Sequence, residues 1–131
     1  MNSFRIDLGF VDFIAEYKAA LKKHPTFKND LKKTLETLEG SPYSGDLIPR
    51  TRPDVFKIRI GVKGQFGKSG GYRLIYHVDV PRKVITPIAL YFKGDIPNMP
   101  DHEVAARFDT LVQALGEAGA LEPQNPTTRP N

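Results

Sequence analysis

The chain has 131 residues, of which 40% are hydrophobic, so it can bury the core of one domain. It contains no cysteine, which excludes disulfides, thiolate nucleophiles and thiolate metal sites. No apolar run approaches the roughly 18 residues of a membrane span, and the N-terminal residues do not resemble a signal peptide. These features predict a cytoplasmic protein. We expect one domain over residues 1–120 and a disordered polar tail over residues 121–131.

The formal net charge of +4 is concentrated in the middle of the chain. Residues 1–49 are balanced, residues 50–93 contain ten basic and two acidic side chains, and residues 94–131 are net negative. A basic middle third is typical of a surface that binds phosphate groups. A merely solvated face has the same composition, so charge alone leaves both interpretations open.

Helical periodicity dominates the first forty residues. Apolar side chains recur at helical spacing over residues 10–21 and again over residues 27–38. Thr26 is placed to cap the second helix, and Gly40 is placed to end it. These signals predict a helical hairpin, preceded by a short strand over residues 3–8.

After a loop over residues 41–54, the hydrophobic period changes to two, as in β-strands. Three long strands are predicted, followed by a final helix with an apolar stripe that includes Val112. Pro87 cannot donate a ladder hydrogen bond, so it marks an edge strand or a bulge. The predicted fold class is α+β, with the hairpin and the C-terminal helix packed on one face of a mainly antiparallel sheet of three to four strands.

This arrangement predicts a basic open face on the other side of the sheet. Neighbouring strands lie about 4.8 Å apart, so cations on this face converge on a patch a few phosphates wide. Their mutual repulsion favours a polyanion as the partner. The alternation places these side chains on the open face, with no carboxylate among them: Lys57, Arg59, Lys63, Arg73, His77, Tyr91 and Lys93. Lys68 is expected on a mobile, glycine-rich hairpin tip over residues 64–71.

Other arrangements of reactive residues are weaker. The glycine-rich stretch lies between two strands and not before a helix, so it is not a nucleotide-binding loop. The three histidines lie on separate elements without ligand spacing, and we expect no metal and no cofactor. The available catalytic side chains are therefore lysine, arginine, tyrosine and one histidine.

Three motifs resemble the RelE superfamily of toxin–antitoxin toxins. Phe56-Lys-Ile-Arg-Ile60 is followed by Gly67-Lys-Ser-Gly-Gly-Tyr-Arg-Leu-Ile-Tyr-His77, and Tyr91-Phe-Lys93 is similar to the end of the last strand in that family. The Gly-Lys-Ser-Gly-Gly-Tyr-Arg form is closer to the HigB branch. With the order of helices and strands, the resemblance covers about residues 4–115.

The resemblance implies a metal-independent endoribonuclease that cuts messenger RNA on the ribosome and is silenced by a cognate antitoxin protein. It implies that Lys57, Arg59 and Arg73 occupy catalytic or phosphate-binding positions, with Lys93 as a fourth catalytic residue. Further contacts to the RNA are expected from Lys63, Lys68, His77 and Tyr91.

The implied chemistry needs a base, an acid for the leaving group and stabilisation of a pentavalent phosphorane. A lysine beside other cations loses its proton more readily and suits the base, whereas arginine suits charge stabilisation. The chain departs from the family at Gly94, where RelE has an arginine, and at residues 97–100, which offer no counterpart of its C-terminal tyrosine. The general acid is therefore unassigned, with His77 and Tyr91 as candidates.

Two other functions are compatible with this sequence. A ParE-like toxin would poison a topoisomerase, although such toxins tend to lack the basic face. A non-catalytic RNA- or ribosome-binding protein of the same fold would keep the cations without cleaving RNA.

Overall fold

A computed structural model describes residues 3–49, 54–62 and 71–117. Lys63, Lys68 and the predicted tail over residues 121–131 lie outside the described residues. The elements in chain order are β1 (Arg5–Ile6), α1 (Val11–Lys23), α2 (Phe27–Gly40), β2 (Asp46–Leu47), β3 (Val55–Ile60), β4 (Tyr72–Asp79), β5 (Val84–Phe92) and α3 (Asp101–Glu117). No helix of the described ranges is long and apolar enough to cross a membrane.

The helical hairpin forms where the periodicity predicts it. Phe13 of α1 and Phe27 of α2 are buried, and the Phe27 ring lies 4.2 Å from that of Tyr72 in β4, so the hairpin packs on the sheet. Thr26 is the N-cap residue of α2, but its side chain makes no cap hydrogen bond. Its backbone is helical (φ −77°, ψ −7°), whereas a capping side chain needs an extended residue.

The sheet has five strands in the order β1-β5-β4-β3-β2. β1 is parallel to β5, and the other pairs are antiparallel, so the sheet is mixed but mainly antiparallel. The predicted fold class is confirmed, with more strands than the three to four expected. β1 lies within the short strand predicted over residues 3–8, whereas β2 lies within the predicted loop and has only two residues, too few to show an alternating pattern.

Pro87 lies at a bulge, as its missing N–H group predicts. The β4–β5 register shifts between Ile75 and Tyr76, and Pro87 is the partner of Tyr76. The edge of β5 beyond this bulge is occupied by side chains. The Leu90 N–H group donates to the Glu16 carboxylate at 2.9 Å, and the Ile88 carbonyl accepts from Arg107 at 3.0 Å.

The C-terminal helix differs from prediction in its placement. Alternation along β4 puts His77 on the face opposite Tyr72, and the ring of Phe108 in α3 lies 4.9 Å from that of His77. The hairpin and α3 therefore cover opposite faces. The reason is the connection after β5, which crosses the basic face and buries Met99 there. Val112 belongs to the apolar stripe predicted for α3, but the structure leaves this residue exposed.

Candidate nucleic-acid interface

One row of side chains crosses the three central strands on the basic face. Arg59 of β3 is the register partner of Arg73 in β4, which in turn is the partner of Tyr91 in β5. Lys57 lies two residues from Arg59 on the same strand and therefore on the same face. The structure thus brings together Lys57, Arg59, Arg73 and Tyr91, as the alternation predicts.

The two arginines in this row repel each other. Burial lowers the pKa of Arg73, and the neighbouring Arg59 lowers it further, whereas Tyr91 has the opposite effect. Direct partners in an antiparallel pair have Cβ atoms about 5 Å apart, so the two charges lie at a spacing suited to one phosphate group. Arginine keeps its proton at neutral pH, and the pair therefore presents two positive charges.

A cleft of about 590 Å³ opens over Lys57 and the two arginines of this row. It is lined by Ser44, Gly45, Asp46, Lys57, Ile58, Arg59, Gly61 and Arg73. The face was expected to have no carboxylate, and Asp46 corrects that expectation. Asp46 belongs to β2 and is the register partner of Lys57, a pairing that the sequence pattern of a two-residue strand does not reveal.

The connection after β5 supplies a residue that the sequence reasoning missed. The Lys57 Nζ donates to Asn98 Oδ1 at 2.9 Å, and the Tyr91 hydroxyl donates to the same oxygen at 3.4 Å. In the sequence, residues 97–100 are notable only for lacking the C-terminal tyrosine of RelE. Nothing in their local sequence indicates a contact with Lys57, since 41 positions separate the two residues.

Tyr91 keeps its proton at neutral pH. The residue is only 4% exposed, and burial raises the pKa of the phenol. A hydrogen bond from the Met99 backbone and the charge of Arg73 act in the opposite direction. The aromatic ring of Tyr91 is covered, so it offers no open face on which an RNA base could stack. The hydroxyl is therefore the part of Tyr91 that is suited to a role in the site.

The structure separates His77 from the arginine row. His77 lies four residues from Arg73 along β4, which is about 13 Å in a strand, and it packs against Phe108 of α3. Burial lowers the pKa of His77, although Asp79 and Asp54 act in the opposite direction. Its imidazole is therefore neutral at pH 7 and lies away from the cleft.

The remaining predicted site residues are more peripheral. Lys93 directly follows β5, is half-buried, and donates its backbone N–H to the Gly71 carbonyl, but it does not line the cleft. Lys63 and Lys68 lie outside the described residues. Within residues 3–49, 54–62 and 71–117, no three His, Cys, Asp or Glu side chains are grouped as metal ligands would be.

The chain resembles solved structures of a bacterial toxin. No protein-family profile and no curated protein sequence matches the chain. It is similar to the free-state structure of an arginine-to-alanine double variant of E. coli toxin RelE, with 26% identity over 72% of this chain and 88% of that chain and a TM-score of 0.50. The isolated E. coli RelE toxin is 27% identical over 69% and 84% of the two chains, with a TM-score of 0.49.

The predicted family is confirmed by this similarity in fold and sequence, although the comparisons do not confirm the HigB branch. The chain therefore has a RelE-like fold, and its sequence similarity to E. coli RelE supports a place in the RelE-like superfamily.

Proposed function

We propose that this chain is the toxin of a type II toxin–antitoxin system and cleaves messenger RNA on the ribosome, in the cytoplasm and without a metal ion. The observation that carries the proposal is the Arg59–Arg73 pair beside Lys57, which lines a cleft on the sheet of a RelE-like fold. The similar E. coli proteins are toxins, which supports the first half of the proposal.

The side chains around the cleft suit cleavage by attack of a ribose 2′-oxygen. In this proposal Lys57 takes the proton of the attacking hydroxyl, and Arg59 and Arg73 stabilise the negative phosphorane. Of the two candidates for the general acid, Tyr91 lies in the row and holds its proton, whereas His77 lies under α3. We therefore assign the leaving-group proton to Tyr91.

The antitoxin is proposed to cover the basic cleft with an acidic segment. Its charge would complement Lys57, Arg59 and Arg73. Addition of an antitoxin strand to β5 near Pro87 is not the mode that we propose. Glu16 and Arg107 already use the backbone groups of Leu90 and Ile88 at that edge.

The test is expression of the native chain and of Arg73→Ala in growing cells, with transcripts mapped by primer extension. The native chain should arrest growth and cut translated messages. Arg73→Ala should lose about 100- to 1,000-fold in cleavage rate, as expected when a donor to a transition-state charge is removed. Because Arg73 is only partly buried at the cleft, the variant should stay folded and bind ribosomes.

The matched control is Arg5→Ala, which should remain fully toxic. Arg5 is exposed and pairs with Val84 at the other end of β5. Arg82 in the β4–β5 turn is a poorer control, because its guanidinium is ion-paired with the nearly buried Asp79 at 3.1 Å.

Intact transcripts with soluble native protein would contradict the nuclease function. Ribosome binding without cleavage would favour the binding protein, and growth arrest with intact transcripts and damaged DNA would favour the ParE-like toxin.

A further inference from the structure

The connection between β5 and α3 is held at both ends. At its start, the Asp95 carboxylate accepts a hydrogen bond from Lys23 Nζ at 2.8 Å, and the Asp95 and Ile96 N–H groups donate to the Phe92 carbonyl. At its end, the Pro100 carbonyl accepts from the first turn of α3. Met99, between these ends, is only 4% exposed and belongs to the core.

Asn98 is therefore presented at a fixed position over the basic face. Pro97 precedes it and Pro100 follows Met99, and each proline restricts both its own backbone and that of the residue before it. With Met99 anchored below, the exposed Asn98 side chain has little freedom to leave the face.

The Asn98 amide oxygen joins two members of the proposed site. It accepts from Lys57 Nζ at 2.9 Å and from the Tyr91 hydroxyl at 3.4 Å, so the lysine amine and the phenol lie within two hydrogen bonds of each other. A lysine side chain is long and flexible, and an exposed one samples many positions. The contact with a fixed acceptor selects one of them.

We propose that Asn98 is a positioning residue that holds the Lys57 amine for proton transfer during RNA cleavage. This inference rests on the proposed nuclease function. A neutral amide suits the task, because it accepts one N–H of the amine and leaves the lone pair of the deprotonated form available to the 2′-hydroxyl. A carboxylate at the same place would instead stabilise the ammonium form.

Two substitutions separate positioning from a structural role. Asn98→Ala removes the acceptor and should lower kcat by about 10- to 100-fold with little change in KM, as misplacement of a reacting group by about 1 Å does. Asn98→Asp keeps the shape but adds a charge beside Lys57. It should move the rising limb of the pH–rate profile about one unit to higher pH, because the base is then available only at higher pH.

Rates are measured with the purified full chain and ribosomes programmed with messenger RNA, from pH 6 to pH 9. Asn29→Ala, on an exposed position of α2, is the matched control and should behave as the native chain. The proposal is overturned if Asn98→Ala stays within about twofold of native, or if its activity rises because Asn98 competes with RNA for Lys57. It is also overturned if Asn98→Asp loses rate equally at every pH, as a structural defect would cause.

The two proposals fail in different ways. If the native chain leaves programmed ribosomes and free RNA uncut, the nuclease function is wrong and the role of Asn98 falls with it. If the native chain cuts RNA and the Asn98 variants show none of the expected changes, only the positioning role is wrong.

Discussion

At the scale of single residues, the cleft brings positive charges close together. Arg59 and Arg73 face each other on neighbouring strands, and burial lowers the pKa of Arg73, with a further decrease caused by the charge of Arg59. Asp46 lines the same cleft but pairs in register with Lys57 and not with either arginine. A bound phosphate would relieve this repulsion, which is why we assign the row to RNA.

His77 gives a prediction about pH. Its folded-state pKa lies below the ordinary value of 6.5, mainly because of burial, so the unfolded chain binds a proton more readily. Stability is then lost as pH falls from about 6.5. We expect the free energy of unfolding of the native chain to decrease from pH 7 to pH 5.5, and His77→Phe to lack this part of the decrease.

The measurement is urea denaturation at several pH values across that window. Phenylalanine preserves an aromatic contact with Phe108, so the variant should fold. His102→Phe, on an exposed position of α3, is the matched control and should keep the native pH dependence. Parallel curves for the native chain and His77→Phe would show that His77 is not the group responsible.

At the scale of elements, a carboxylate–guanidinium pair joins α1, β5 and α3. The two terminal guanidinium nitrogens of Arg107 each contact the Glu16 carboxylate at 2.8 Å, and the same two side chains satisfy the Leu90 N–H and the Ile88 carbonyl. The hydrogen bond with Glu16 is the main reason that the pKa of Arg107 is raised. These contacts close a free strand edge that would otherwise expose unpaired backbone groups.

Arg107→Ala should therefore destabilise the protein by about 2 to 3 kcal/mol, because it leaves the Glu16 charge and a backbone carbonyl without this partner. Arg107 is 14% exposed, so water does not fully replace the lost bonds. Asp95→Asn is the comparison, since it weakens the Lys23–Asp95 pair, whose side chains are 44% and 57% exposed. That change should cost less than about 1 kcal/mol. Equal shifts of the two urea midpoints would contradict the structural importance of the pair.

At the scale of the whole molecule, the basic face predicts how RNA binding depends on salt. Lys57, Arg59 and Arg73 line one cleft, and each phosphate contact to a single strand contributes about −0.7 to the slope of log K against log salt concentration. These three contacts predict a slope of about −2 or steeper. Arg59→Ala should make the slope shallower by about 0.7.

The slope is measured by binding of a labelled single-stranded RNA at increasing concentrations of potassium chloride. Lys18→Ala, on an exposed position of α1, serves as the control because the hairpin covers the opposite face of the sheet. It should leave the slope unchanged. If Arg59→Ala also left the slope unchanged, the RNA would bind elsewhere on the molecule.

The sequence by itself determined the hairpin, the three long strands and the face on which Lys57, Arg59 and Arg73 meet. These features follow from local periodicity, because side chains alternate in a strand and repeat every 3.6 residues in a helix. That periodicity does not depend on contacts with distant parts of the chain. For the same local reason, the missing N–H group of Pro87 predicted an edge strand or a bulge, and the structure has the bulge.

Tertiary structure alone decided where residues distant in sequence meet. β2 brings Asp46 to the cleft, α3 covers His77, and the connection after β5 carries Asn98 to Lys57. None of these contacts has a local pattern, because each depends on the path of the chain across the sheet. Packing between residues far apart along the chain decides where a short strand pairs, where a loop between two prolines lies, and which face of the sheet the last helix covers.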